Sequence, residues 1–198
     1  MVNIKDFQTL PKKQQQLIEA ATELFCRHGM RRVTVEEICK NAGISKMTFY
    51  KYFTDKNDIA RAALDSLINT GLKMYDEMIA EPIPFAQKVE KILMLSTHQI
   101  HAFGSAFLDD LMNAKSPLHA YFLEQQKKVR ELSIEFLQQA QKEGLINSEI
   151  KMPVMMFLLN RLSELLNHPE FVKILPDIEA RACELSALFF HGCARTSQ

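Results

Sequence analysis

Between Thr34 and Phe53 the chain spells two short helices on either side of one glycine, and this stretch narrows the choice of fold more than any other. Thr34-Val-Glu-Glu37 has the form of a capping box, in which a threonine hydroxyl and a glutamate three residues on satisfy each other's backbone N–H groups. The two acids also sit at the positive end of the helix they open. That helix is expected over Val35 to Asn41. Ala42-Gly43-Ile44 then forms a tight turn, where glycine takes a positive φ at least cost. Ser45 caps a third helix, expected from Lys46 to Phe53. A capped helix, a glycine turn and a second short helix describe a helix-turn-helix, whose second helix enters the major groove of DNA.

Helical geometry divides the third helix into two faces. At 100° per residue Phe49 and Phe53 fall together and are expected to pack into the head. Met47 and Lys51 point the other way, flanked by Thr48 and Tyr50. That arc offers an apolar tip, a cation, a hydroxyl and a phenol, a set suited to base edges and phosphates.

The remaining sequence also reads as helix. There are six glycines, no stretch alternates with period two for long, and no Asn-Gly or Asp-Gly hairpin turn occurs, so an all-α fold is expected. A first helix runs from Pro11 to His28, with Leu17, Ala21, Leu24 and Phe25 on one face and Gly29 as its stop. A long fourth helix starts at Thr54 or Asp55 and ends before Pro82. Others are expected from Phe85 to about Ala102, Ser105 to Asn113, Ser116 to Lys142, Pro153 to Asn167, and Pro176 to about Cys193. With about nine helices, the chain is expected to divide into an N-terminal three-helix helix-turn-helix domain, 1–57, and a larger helical body, 58–198. The helix from about 55 to 81 links them.

Net charge is zero, but its distribution is not even. Residues 1–61 hold 11 Lys and Arg against 7 Asp and Glu, while the remaining 137 hold 13 against 17. A basic head on an acidic body suits a protein that meets phosphate at one end. Apolar residues make up 47% of the chain, too many for a disordered protein. No apolar run approaches the roughly 20 residues of a membrane span, and the first residues lack the apolar core of a signal peptide. Cys26, Cys39, Cys183 and Cys193 form no C-x-x-C pair, so a cytoplasmic protein with reduced thiols, no metal and no cofactor is expected. Phosphate-loop, HExxH and G-x-S-x-G motifs are absent, which speaks against an enzyme.

The run Thr34-Val-Glu-Glu-Ile-Cys-Lys-Asn-Ala-Gly-Ile-Ser-Lys46, followed by Thr48-Phe-Tyr-Lys-Tyr-Phe-Thr-Asp-Lys56, resembles the TetR family of transcriptional regulators. Ala20-Ala-Thr-Glu-Leu-Phe25 and His28-Gly29 resemble that family's first helix, so the likeness covers about residues 12–64. Met47 departs from it, since glycine is most frequent there. The resemblance implies a sequence-specific, ligand-responsive repressor that binds a palindromic operator in double-stranded DNA as a homodimer. It implies that Thr34 and the start of the second helix touch phosphate. Lys46, Met47, Thr48, Tyr50, Lys51 and Tyr52 would face the groove or its walls, with Ser45 at the helix start among the DNA-binding set. Lys56 would clamp a phosphate together with backbone N–H groups.

Beyond residue 64 the resemblance implies only architecture, an effector domain whose last two helices form a four-helix bundle with a second subunit. The sequence agrees independently. Met155, Phe157, Leu158, Leu159, Leu162 and Leu165 go most of the way round one helix, and Leu185, Leu188, Phe189 and Phe190 line another. Helices apolar all round need cover on two sides. Leu158, Leu162, Leu185, Leu188 and Phe189 are therefore the candidate dimer contacts, the alternative being a thick monomeric core. Met94, His98, Phe103, Phe107, Phe122 and Phe157 are candidates for a pocket taking a small, largely apolar effector, or are simply core. His98 and His101 stand three residues apart, but no metal site is expected of them.

Overall fold

The computed structural model describes residues 7–193, and every regular element among them is helical. A 3-10 turn, Phe7–Thr9, precedes ten α-helices: α1 Lys12–His28, α2 Val35–Ala42, α3 Lys46–Phe49, α4 Lys56–Ala80, α5 Phe85–Phe103, α6 Ser105–Met112, α7 His119–Lys142, α8 Met152–Leu165, α9 Pro169–Ile174 and α10 Ile178–Cys193. The expected starts and stops hold to within a few residues, with three differences. The helix from Lys46 stops at Phe49, because i→i+3 bonds from Lys51 N to Thr48 O (3.2 Å) and Tyr52 N to Phe49 O (2.9 Å) tighten its end. α7 begins at His119 because Asn113 to His119 close a turn of their own. α9 was not expected: six residues are too few to show a period, and Pro169 at its first position is its only signal. No described helix is long and apolar enough to cross a membrane. The side chains of His101, Phe190 and Cys193 lie outside the described residues.

Two compact units share the chain, Met1–Leu72 with Ile100–Lys127, and Lys73–Gln99 with Lys128–Gln198. Residues 100–127 thus return to the unit that holds the helix-turn-helix. The reason lies in the core of the first unit, where Leu17, Phe25, Ile38, Phe49, Ile59 and Leu64 are joined by Phe107, Leu111, Leu118 and Phe122. The Phe25 and Phe107 rings lie 5.5 Å apart. Each such side chain stabilises by roughly 1.5–3 kcal/mol on leaving water, so α6 and the start of α7 are fastened to the head. Three polar contacts reinforce this. Cys26 Sγ–H donates to Ala102 O (3.3 Å), the Arg31 Nε–H donates to buried Asp110 (2.6 Å), and Tyr121 O–H donates to Asp65 (2.5 Å) beneath the Arg61 guanidinium.

The second unit packs Val89, Leu93, Leu137, Met155, Leu159, Leu166, Leu185 and Phe189 together. Its buried cation, Arg181, has carbonyls for partners: it donates to Leu166 O (2.7 Å), Leu175 O (2.6 Å) and Pro176 O (2.7 Å). These are carbonyls at or just past the C-terminal ends of α8 and α9, the negative ends of their dipoles, so the charge is welcome there.

Gly104, at the start of α6, lies hard against α1. Its φ is +65°, and a Cβ there would lie 2.2 Å from Cys26 O. Gly104→Ala is expected to cost roughly 2–5 kcal/mol through overpacking and left-handed strain together. Gly43→Ala, with the same φ but open space around it, should cost only about 1–2 kcal/mol. Urea unfolding of the two variants checks the difference.

Candidate nucleic-acid interface

The frame of the site is set by α2. Thr34 Oγ1 accepts from Glu37 N–H (3.2 Å), and the Glu37 carboxylate accepts from Thr34 N–H (2.8 Å), so the capping box is complete. Gly43 closes the helix in the left-handed region, φ 65° and ψ 31°. Ser45 Oγ then accepts from Thr48 N–H (3.3 Å) and starts α3. Phe49 and Phe53 are buried with their rings 5.6 Å apart, as the two-face reading required.

Burying those rings settles which side chains face solvent. Met47 is 73% exposed and Tyr50 58%, and Lys46 and Lys51 are exposed as well. The Tyr50 ring stands edge-on to Phe49 at 5.2 Å, which holds the phenol outward. Thr48 is half-buried, its hydroxyl 3.1 Å from that of Ser45, and Tyr52 is half-buried against the head core.

Lys46 does not extend freely into solvent. Its ammonium is paired with Glu36 on α2, a partner that the sequence reading missed because ten residues and a turn separate them. This hydrogen bond is the main reason the Glu36 carboxyl lies below its ordinary value, and it raises Lys46 in turn. Glu37 is lowered chiefly by the backbone N–H of Thr34.

The start of α4 is tied back to the loop before α2. Lys56 donates to Val33 O (3.0 Å) and Arg31 O (3.5 Å), so it braces the loop that leads into α2. The N–H groups of Asn57 and Asp58 already donate to the Asp55 carboxylate (2.7 and 2.9 Å). Two backbone N–H groups at this helix start are thus satisfied by the chain's own cap. The same loop is held from α6, since Asp110 also accepts from Arg31 N–H (3.2 Å). No local signal pointed to that pair, 79 residues apart in sequence.

The six candidate pocket residues divide between the two units. Phe103, Phe107 and Phe122 belong to the first unit's core, and Met94 packs at the edge of the second unit's core. His98 is exposed, and Phe157 is 60% exposed. A cleft of about 50 Å³ does lie in the second unit, between α5, α7 and α8. Leu93, Phe136 and Leu159 form its apolar side, and Ser96, Ser133, Asn160 and Ser163 its polar side.

The candidate dimer contacts also divide. Leu185 and Phe189 are buried in their own protomer's core and Leu162 is half-buried beside it, whereas Leu158 and Leu188 are exposed. Val154, Phe157 and Leu165 are exposed as well, and with Leu158 they fall on one side of α8.

Comparison with known proteins agrees with this geometry. Residues 17–63 match the family model described as bacterial regulatory proteins, tetR family. The HTH-type transcriptional repressor KstR2 of Mycobacterium tuberculosis is 23% identical over 139 residues, 68% of this chain and 70% of that one. The HTH-type transcriptional regulator UidR of Escherichia coli is 27% identical over 180 residues, 89% of this chain and 86% of that one. The fatty acid degradation regulator FadR from Bacillus halodurans shares the fold, with a TM-score of 0.71 at 19% identity over 92% of this chain and 96% of that one. An all-helical chain that presents α3 on a capped turn, and has such relatives, is a DNA-binding transcriptional regulator of the helix-turn-helix class. Within that class, the match of residues 17–63 to the tetR family sets this chain beside regulators such as KstR2 and UidR.

Both lowered carboxyls tie head stability to pH. A carboxyl lowered by folding contributes stability that is complete above its ordinary value near 4.5 and is lost as pH falls through the folded value. The wild-type head is therefore expected to lose more of its urea midpoint between about pH 5 and pH 3 than the Glu36→Gln/Glu37→Gln double variant, followed by circular dichroism.

Proposed function

We propose that the chain is a ligand-responsive repressor that binds a palindromic operator as a homodimer in the cytoplasm. The observation that carries this reading is α3 itself, whose buried Phe49 and Phe53 leave Met47, Tyr50 and Lys51 standing out from a rigid turn. Thr34, Ser45, Lys46, Thr48, Tyr52 and Lys56 complete the DNA-facing set, with Lys56 acting both on phosphate and on the loop before α2.

The exposed apolar side of α8, together with exposed Leu188 on α10, supports a second copy as partner, because grouped exposed apolar side chains mark an interaction surface. A dimer grips DNA well when its two recognition helices match one turn, about 34–36 Å. An effector then acts through its unequal affinity for the gripping and the non-gripping spacing. At about 50 Å³ the cleft of the second unit has to open to admit an effector, to which its lining offers an apolar wall and a hydroxyl-bearing edge.

Selection from a random duplex pool tests this reading. It should return an inverted repeat, and binding should fall steeply with salt. Lys56→Ala should weaken binding to all sequences alike and lower the log–log salt slope by about 1. It should also cost the head about 1 kcal/mol, because carbonyls lose their donor. Binding indifferent to salt, with no sequence enriched, would defeat the DNA-binding reading.

Assembly has a separate test. Leu188→Glu or Phe157→Glu is expected to give a folded monomer in light scattering, with specific DNA affinity lost. Leu185→Glu or Phe189→Glu should instead unfold the second unit, since each buries an unpaired charge at a cost of several kcal/mol. A wild-type chain that is monomeric at micromolar concentration would contradict the homodimer.

A further inference from the structure

We propose that Met47 selects a thymine in each half-site by seating its thioether against the C5-methyl group in the major groove. The inference rests on the DNA-binding reading above and goes beyond it by assigning a base to a side chain.

Met47 is the second residue of α3, and the N-terminal residues of the second helix of a helix-turn-helix are those that reach base edges. At 73% exposure it is the most exposed large apolar side chain described in the first unit. Its neighbours in the first turn are otherwise engaged. Lys46 is paired with Glu36, Thr48 shares a hydrogen bond with Ser45, and Phe49 is in the core. Met47 therefore projects from this turn as an apolar tip, on a backbone fixed by the Ser45 cap and the buried Phe49 ring.

The chemistry of the groove then decides what such a tip can read. Every base-pair edge there offers donors or acceptors, and its one apolar feature is the thymine methyl. A thioether against that methyl removes apolar surface from water on both partners. Against a G·C edge it would strip water from polar groups and return no N–H or O–H donor, which is a penalty. Attraction to T·A and desolvation at G·C thus act in the same direction. The unbranched, polarisable side chain can follow the methyl without a strict approach angle.

The experiment uses the full-length chain and the half-site that it selects from a random duplex pool. Each thymine is replaced in turn by deoxyuridine, which deletes the methyl and keeps the pairing. At one position per half-site the wild type should bind roughly three- to tenfold more weakly. Met47→Ala, which keeps good helix propensity, should bind thymine and deoxyuridine duplexes equally at that position. Met47→Leu, which restores an apolar tip, should recover the preference. If every deoxyuridine is tolerated by the wild type, or if methyl dependence persists in Met47→Ala, the assignment is overturned while the DNA-binding reading stands. If the wild type enriches no sequence at all, both fall together.

Discussion

The placing of every functional group in the head depends on keeping Phe49 and Phe53 out of water on the same side of the chain. Two buried phenylalanines stabilise by roughly 3–6 kcal/mol together, far more than any hydrogen bond made by the exposed residues of α3. Their burial fixes the rotation of this short helix, which has too few turns to be stable alone. Once that rotation is fixed, Met47, Tyr50 and Lys51 have no choice but to face solvent. The capping box of α2, the Ser45 cap and the Lys56 bonds to Val33 and Arg31 then remove the remaining play from the turn.

The head is not self-sufficient. α6 reaches it through Gly104, whose lack of a Cβ allows contact with the Cys26 carbonyl, and through Asp110, which grips the Arg31 backbone and side chain. A buried carboxylate is costly unless it is hydrogen-bonded and paired, and here Arg31 supplies both interactions. Any shift of α6 would therefore strain the loop that leads into α2, and with it the frame on which α3 stands. Arg181 plays a comparable part in the second unit, where one buried cation joins the start of α10 to the ends of α8 and α9.

α8 shows how one helix serves three surroundings. Met155, Leu159 and Leu166 just past its end face the protomer core; Met156, Asn160 and Ser163 line the cleft; Val154, Phe157, Leu158 and Leu165 form the uncovered face. The sequence shows the sum of these demands as a helix apolar nearly all round. It does not show the sectors, because a leucine facing its own core and one facing outward carry the same hydropathy.

Periodicity and caps were enough to place nearly every helix and to orient α3, since those signals act over three or four residues and need no partner. The family likeness was legible for the same reason, as its motif lies within one short stretch of chain. What sequence did not determine was every choice among distant partners of equal chemistry. Phe107, for which sequence left core and pocket both open, packs on the Phe25 ring, Leu185 and Phe189 turned inward while Leu188 stayed out, and Asp110 found Arg31. Local hydrogen bonds and apolar spacing are written into the order of residues. Which apolar surface covers which is decided only when the whole chain competes for burial, and that competition is settled in three dimensions.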